Sequence, residues 1–165
     1  MNEVTYHVTR LDKALTDEAE MLEVLRAGTY VTLALCKDNE PYLVTMNYAY
    51  DEARRCLYFH CAKRGKKLEI WAANPIVWGQ VMEDRGYLVG KCSYAYRTVQ
   101  FRGRVELFAE SEQKREALRL MIERLEPDPD TVKREQIENK PLNNVVVGCV
   151  YVENMSGKVS PPPKK

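Results

Sequence analysis

The sequence predicts a mainly β, α+β fold, an antiparallel barrel of about six strands with a few peripheral helices. Three observations predict it. Strand-sized runs of β-branched and aromatic residues follow one another across short polar turns; within the long run 94–109, residues 99–107 alternate apolar and polar; and no βαβ alternation of strands and helices occurs. The 165 residues suit one domain covering 1–165, long enough to bury a core, and carry no internal repeat or composition break.

The first element is a helix with Thr16 as N-cap, Asp17, Glu18 and Glu20 in its first turn, Met21, Leu22 and Leu25 on one face, and Gly28 as its stop. Residues 29–35 (TYVTLAL) read as a strand, 37–40 (KDNE) as a turn and 41–50 (PYLVTMNYAY) as a second strand. After a polar turn at 51–54, residues 56–61 make a third, and the three suggest an antiparallel meander. A short helix over 66–74 stops at Asn74-Pro75, and strand 76–82 is closed by 83–86 (EDRG). In the long strand 94–109, Gly103 marks a bend or bulge. Ser111 caps a second amphipathic helix carrying Leu118, Met121, Ile122 and Leu125; residues 126–130 (EPDPD) end it, 131–138 form a further short helix, and 145–152 are the last strand. The tail from 156 is polar and proline-rich, and is expected to be mobile beyond Val159.

Composition removes several functions. Lys plus Arg number 25 and Asp plus Glu 24, so a net charge of +1 gives no global field for a nucleic-acid partner. The longest apolar run, 145–152, is strand-sized, against about 20 residues for a membrane span, and the N-terminus has no secretory h-region, so a cytoplasmic protein without membrane partner is expected. Cys36, Cys56, Cys61, Cys92 and Cys149 include no CxxC and fit a reducing compartment, with most, Cys92 and Cys149 included, as buried thiols. No GxGxxG, Walker, HExxH or GxSxG pattern occurs. Two histidines exclude a His-rich metal site, and on a strand Cys56 and His60 share one face while Cys61 points to the other, so no metal is expected.

The chemistry concentrates at 58–70 (YFHCAKRGKKLEI). Four of the five residues 63–67 are cationic around Gly65, where a strand passes into a helix whose first N–H groups are free. Such a place suits a phosphate. A solvated basic loop is the competing reading, and a nucleic-acid loop a third that the charge balance disfavours. The cationic run also stands against an acidic first helix. His60 at a strand end fits either hydrogen-bonded structure or cofactor contact. Trp71 and Trp78 suit packing, and Tyr94 and Tyr96 a substrate mouth.

PYLVTMNYAY, YFHCAKRGKKLEIWAANP, YRTVQFRGRVEL and the late SGK together resemble the FMN-binding split-barrel superfamily of pyridoxamine-phosphate-oxidase-like proteins, nearest its nitroimidazole-resistance branch, over about residues 16–158. The resemblance implies a six-stranded split barrel and a homodimer holding two FMN molecules between its subunits. The backbone of Val44, Thr45, Met46 and Asn47 would run along the isoalloxazine ring, with His60 and Cys61 closing over it. Lys66 and Lys67 would hold the phosphate, beside Lys63 and Gly65. His60 would lie near the reactive part of the flavin as the catalytic residue, and Arg97 and Thr98 match a motif whose strand reaches the cofactor, from the partner subunit in one reading. Thr45 replaces a common Pro and Thr98 a common Ser, which leaves flavin binding intact but nitro reduction unassured. No Arg-Leu-x-Pro pattern favours vitamin B6 oxidation. The implied activity is an FMN-dependent oxidoreductase moving electrons between a small donor and acceptor. A haem or flavin binder without turnover, with His60 as axial ligand, and a deazaflavin reductase are the alternatives.

Overall fold

The computed structural model describes residues 8–138 and 140–160; of the tail expected to be mobile beyond Val159, Ser160 ends the last strand and 161–165 lie outside the described residues. Strand β1 (Ala14–Leu15) precedes helix α1 (Glu18–Ala27), followed by β2 (Tyr30–Lys37), β3 (Glu40–Asn47), β4 (Ala49–Asp51) and β5 (Cys56–Cys61). Then come α2 (Lys66–Ala73), β6 (Ile76–Leu88), β7 (Ser93–Leu107), α3 (Ser111–Leu125), α4 (Pro129–Lys133) running into a π-helical turn (Arg134–Glu138), and β8 (Val146–Ser160). Eight strands rather than six form one antiparallel sheet in the order β3-β2-β6-β7-β8-β5-β4, with β1 added to β8.

The two ends of that order are β3 and β4, which Tyr48 alone separates in the chain. Laid flat, the seven strands would span about 29 Å at 4.8 Å per gap. Two residue steps reach at most about 7.6 Å. The sheet therefore curls until its edges meet, and the chain, not a hydrogen-bonded ladder, crosses the seam. This split barrel corrects the expectation of one strand over 41–50 and of a three-strand meander. The β2-β3 hairpin forms, with Asp38 and Asn39 both left-handed (φ 52° and 62°) as a tight two-residue turn requires. Strand β5, however, pairs with β4 and β8.

Tyr48 turns inward at the seam, its ring buried, and its hydroxyl donates to the carbonyl of Leu25 at 2.6 Å. That carbonyl belongs to the last turn of α1, where four acceptors lack helical partners beyond the cap. The amide of Gly28 donates to Val24 O, Tyr48 serves Leu25, and Arg124 from α3 donates to the carbonyls of Arg26 and Ala27. Gly28 is extended, not left-handed; a Cβ there would lie 2.5 Å from Tyr48 Oη and Val81 Cγ1, so close packing demands the glycine. At the other end Asp17, not Thr16, is the N-cap, accepting from the amide of Ala19 at 2.9 Å. For α3 the N-cap is Glu110, and Ser111 opens the helix.

Two strands outrun their expected ends. Strand β6 continues through Glu83-Asp84-Arg85-Gly86 with a bulge between Asp84 and Tyr87, because β7 remains paired alongside it. The reversal comes later, at Gly90 and Cys92, both left-handed, and Cys92 is exposed rather than buried. Strand β8 runs to Ser160 because β7 and β1 cover the polar Ser156-Gly157-Lys158 on both sides. Opposite Gly103 its register slips by one residue, the bulge that the glycine predicts.

Inside the barrel Leu33, Val77, Val99, Phe101 and Val150 form the main core, onto which α1 packs Val24 and Leu25 and α2 packs Trp71. A second cluster of Cys56, Tyr58, Cys149 and Met121 lies beneath α3. The acidic α1 does not meet the cationic run: Glu18 pairs with Arg55 at 2.8 Å and Glu23 with Arg97 at 3.0 Å. Among the described residues no helix is long and apolar enough to cross a membrane.

Candidate functional site

Strand β5 ends where β8 begins, Cys61 opposite Val146 and His60 opposite Val147. This pairing brings Asn144 and Val145 beside the end of β5. The last residues of β3 arrive from the far edge of the sheet, because the chain crosses the seam at Tyr48. The loop after β5 then turns at Gly65, whose φ of 141° suits only glycine, and starts α2 without a side-chain cap on its first amides. Six of the residues singled out by sequence, Thr45, Met46, Asn47, His60, Cys61 and Lys67, line the resulting cleft of about 440 Å³. Ala62, Asn144 and Val145 complete it. Sequence reading overlooked these three; the pairing of the final strand with β5 is the signal that finds Asn144 and Val145.

The other predicted residues lie elsewhere. Val44 turns its side chain onto the core, so only its backbone accompanies Thr45. Lys63 and Gly65 are exposed in the loop. Lys66 points away, paired with Glu40 at 2.7 Å and lying 5.2 Å from the Tyr42 ring centroid. Arg97 donates to Glu83 at 2.7 Å and Glu23 at 3.0 Å and is outside the cleft. Thr98 sits on the outer sheet face, about 14 Å from β3 by strand spacing, three gaps away. Its hydroxyl oxygen is buried without a hydrogen-bond partner. Tyr94 stacks edge-on against Tyr87 at 5.1 Å in the β6-β7 hairpin rather than at the cleft.

Lys67, half-buried, is the cation in the cleft wall. Burial chiefly, and Lys67 secondarily, hold the imidazole of His60 below its ordinary value near 6.5, so it is neutral at pH 7. Burial raises the thiol of Cys61 against the opposing pull of Lys67, which keeps it protonated. The cleft thus gathers one cation, a neutral imidazole, a thiol and the end of β3 around one space. A cation beside the uncapped start of a helix suits an anionic group such as a phosphate.

Thr45 and Asn47 also belong to the outer face of the sheet, where the Thr45 and Thr32 hydroxyls lie 3.0 Å apart. On this face Leu43, Trp78, Met82 and Tyr30 are exposed by 67%, 40%, 59% and 60%. Between them run Gln80 and Gln100, joined at 2.8 Å.

A family model described as pyridoxamine 5'-phosphate oxidase matches residues 17–159. The chain belongs to this family. Among curated proteins, none matches it. Solved structures do. A candidate 5-nitroimidazole antibiotic resistance protein of Bacteroides thetaiotaomicron is 26% identical with a TM-score of 0.70, covering 88% of this chain and 86% of that one. A FAD-binding protein of Mesorhizobium loti is also 26% identical, with a TM-score of 0.64 and coverage of 88% and 96%. A flavocytochrome of Azotobacter vinelandii, 19% identical, shares the fold over 100% of this chain and 77% of its own, with a TM-score of 0.79. Membership of the pyridoxamine 5'-phosphate oxidase family agrees with the split barrel, whose seam at Tyr48 delivers the end of β3 to the cleft.

Proposed function

We propose that this chain binds FMN in the cleft and acts, as half of a homodimer, as an oxidoreductase that passes two electrons from a nicotinamide or similar donor to a small acceptor of the nitroaromatic kind. The observation that carries the reading is the meeting, around one cleft, of half-buried Lys67 at the start of α2, neutral His60 and the backbone end of β3. Its volume falls in the range of roughly 300–1,000 Å³ usual for small-molecule sites. The family membership and the flavin named for the Mesorhizobium structure support flavin over other phosphate-bearing molecules.

When bound, the flavin supplies the electron chemistry itself. The chain's residues have narrower tasks. Lys67 and the α2 amides hold the phosphate. Thr45, Met46 and Asn47 offer backbone and a flat wall to the ring. His60, neutral, presents one N–H donor and one acceptor at the cleft's edge, where it can position or protonate a reducing substrate. Cationic charge sufficient for one phosphate favours FMN over FAD.

The outer sheet face supports the homodimer. Its exposed Leu43, Trp78, Met82 and Tyr30 form the kind of apolar patch that marks an interaction surface. A second copy on this face would lie against Thr45 and Asn47, which also line the cleft.

The absorption spectrum and mass of the cofactor that co-purifies test the reading. Flavin bands and the mass of FMN are expected. The mass of FAD would replace the cofactor, a Soret band would make His60 a haem ligand, and a deazaflavin would shift the activity to that cofactor's donors.

A further inference from the structure

Behind His60 lies a second cavity, of about 360 Å³, open to solvent on one side and bordered by α3, α4 and the π-helical turn. Its walls are apolar: Leu118, Met121 and Ile122 from α3, Ile137 from the turn, and Leu142. Met121 and Ile137 are buried. His60 and Val145 line both this chamber and the cleft, so the imidazole stands at the junction of the two spaces. The polar groups at the chamber's rim are Glu126 and Gln136. Glu126 is the C-cap of α3, whose last carbonyls already carry the negative end of the helix dipole. Arg115 donates to the carbonyl of Ile137, so charge of both signs borders the chamber, and an apolar ring gains by leaving water there.

We propose that this chamber is the subsite for an uncharged aromatic ring bearing a nitro or quinone oxygen, the oxygen facing His60 at the junction. The assignment rests on the flavin reading for its purpose, since a ring seated there turns its reducible group toward the cleft. It deepens that reading by placing the acceptor's ring in this chamber and naming the residues that hold it. The chamber's size matches one or two fused rings, and its apolar walls favour an uncharged one.

Menadione, an uncharged naphthoquinone, is the probe, titrated into the full chain carrying ¹³C-labelled methionine methyls. Three of these methyls stand in separate places: Met121 in the chamber, Met46 in the cleft and Met82 on the exposed outer face. The expected result is a saturable shift that is largest at Met121 and absent at Met82. Ile122→Trp, which fills the chamber with an indole, should weaken binding by about tenfold or more through loss of the buried contact area. If that variant does not fold, Leu125→Trp at the rim serves, since Leu125 is 41% exposed. A largest shift at Met46 or Met82, or unchanged affinity in the filled variant, overturns the proposal. Adding FMN to the same samples separates the two readings. Without flavin uptake the cofactor assignment fails, while the Met121 response still decides the chamber.

Discussion

Lys66 and Lys67 adjoin in sequence, yet their side chains serve different parts of the molecule. About 100° of helical rotation separates them. One reaches Glu40 on the β2-β3 hairpin and the other lines the cleft. A run of cations announces a phosphate-sized place but not which cation turns toward it, because Glu40 is distant in sequence. His60 carries its own prediction. Its folded-state proton affinity is lowered, so below about pH 6.5 the unfolded chain takes up a proton that the folded chain refuses, and acidification destabilises the fold. Wild type and His60→Gln should therefore show a constant difference in Tm above pH 7. Wild type should lose ground steadily as the pH falls below about 6.5. A parallel pair of Tm curves across that window would contradict the neutral imidazole.

At the scale of elements, the seam residue Tyr48 links three of them: it divides β3 from β4 and closes the end of α1. Tyr48→Phe removes the donor to the buried Leu25 carbonyl, an expected loss of about 1–2 kcal/mol in unfolding free energy by denaturant titration. An unchanged midpoint would show that the α1 end is satisfied without it. The sequence made the β2-β3 hairpin, β5 and α2 readable because local chemistry decides them: a KDNE turn, an aromatic strand and an Asn74-Pro75 stop. It concealed the division at Tyr48 and the length of β8. Both depend on partners remote in the chain, and the polar Ser156-Gly157-Lys158 becomes strand only between β7 and β1.

At the scale of the whole molecule, the site straddles the two edges of one curled sheet. Residues of β3, β5 and α2 were legible as a set through the family's motif, and six of the expected residues meet in the cleft. Asn144 and Val145 were not, since they sit in no motif and only the β5-β8 register places them. Arg97 and Thr98 lie outside the cleft of a single chain, and the proposed homodimer pairs two chains over the outer face. Trp78→Glu with Met82→Glu should accordingly convert a particle of twice 19.1 kDa into one of 19.1 kDa in light scattering, and release bound flavin with it. A wild-type chain already at 19.1 kDa would contradict the paired arrangement.

The central claim is a flavin phosphate held by Lys67, and FMN affinity in matched variants tests it most directly. Removing a charge-assisted hydrogen bond to phosphate costs about 1.5–3 kcal/mol, so Lys67→Ala should raise the Kd for FMN by roughly ten- to a hundredfold. Lys66→Ala, which breaks the exposed contacts with Glu40 and the Tyr42 ring, should leave it within about threefold. Equal and small effects from both substitutions, or a larger loss from Lys66→Ala, would contradict the site described above.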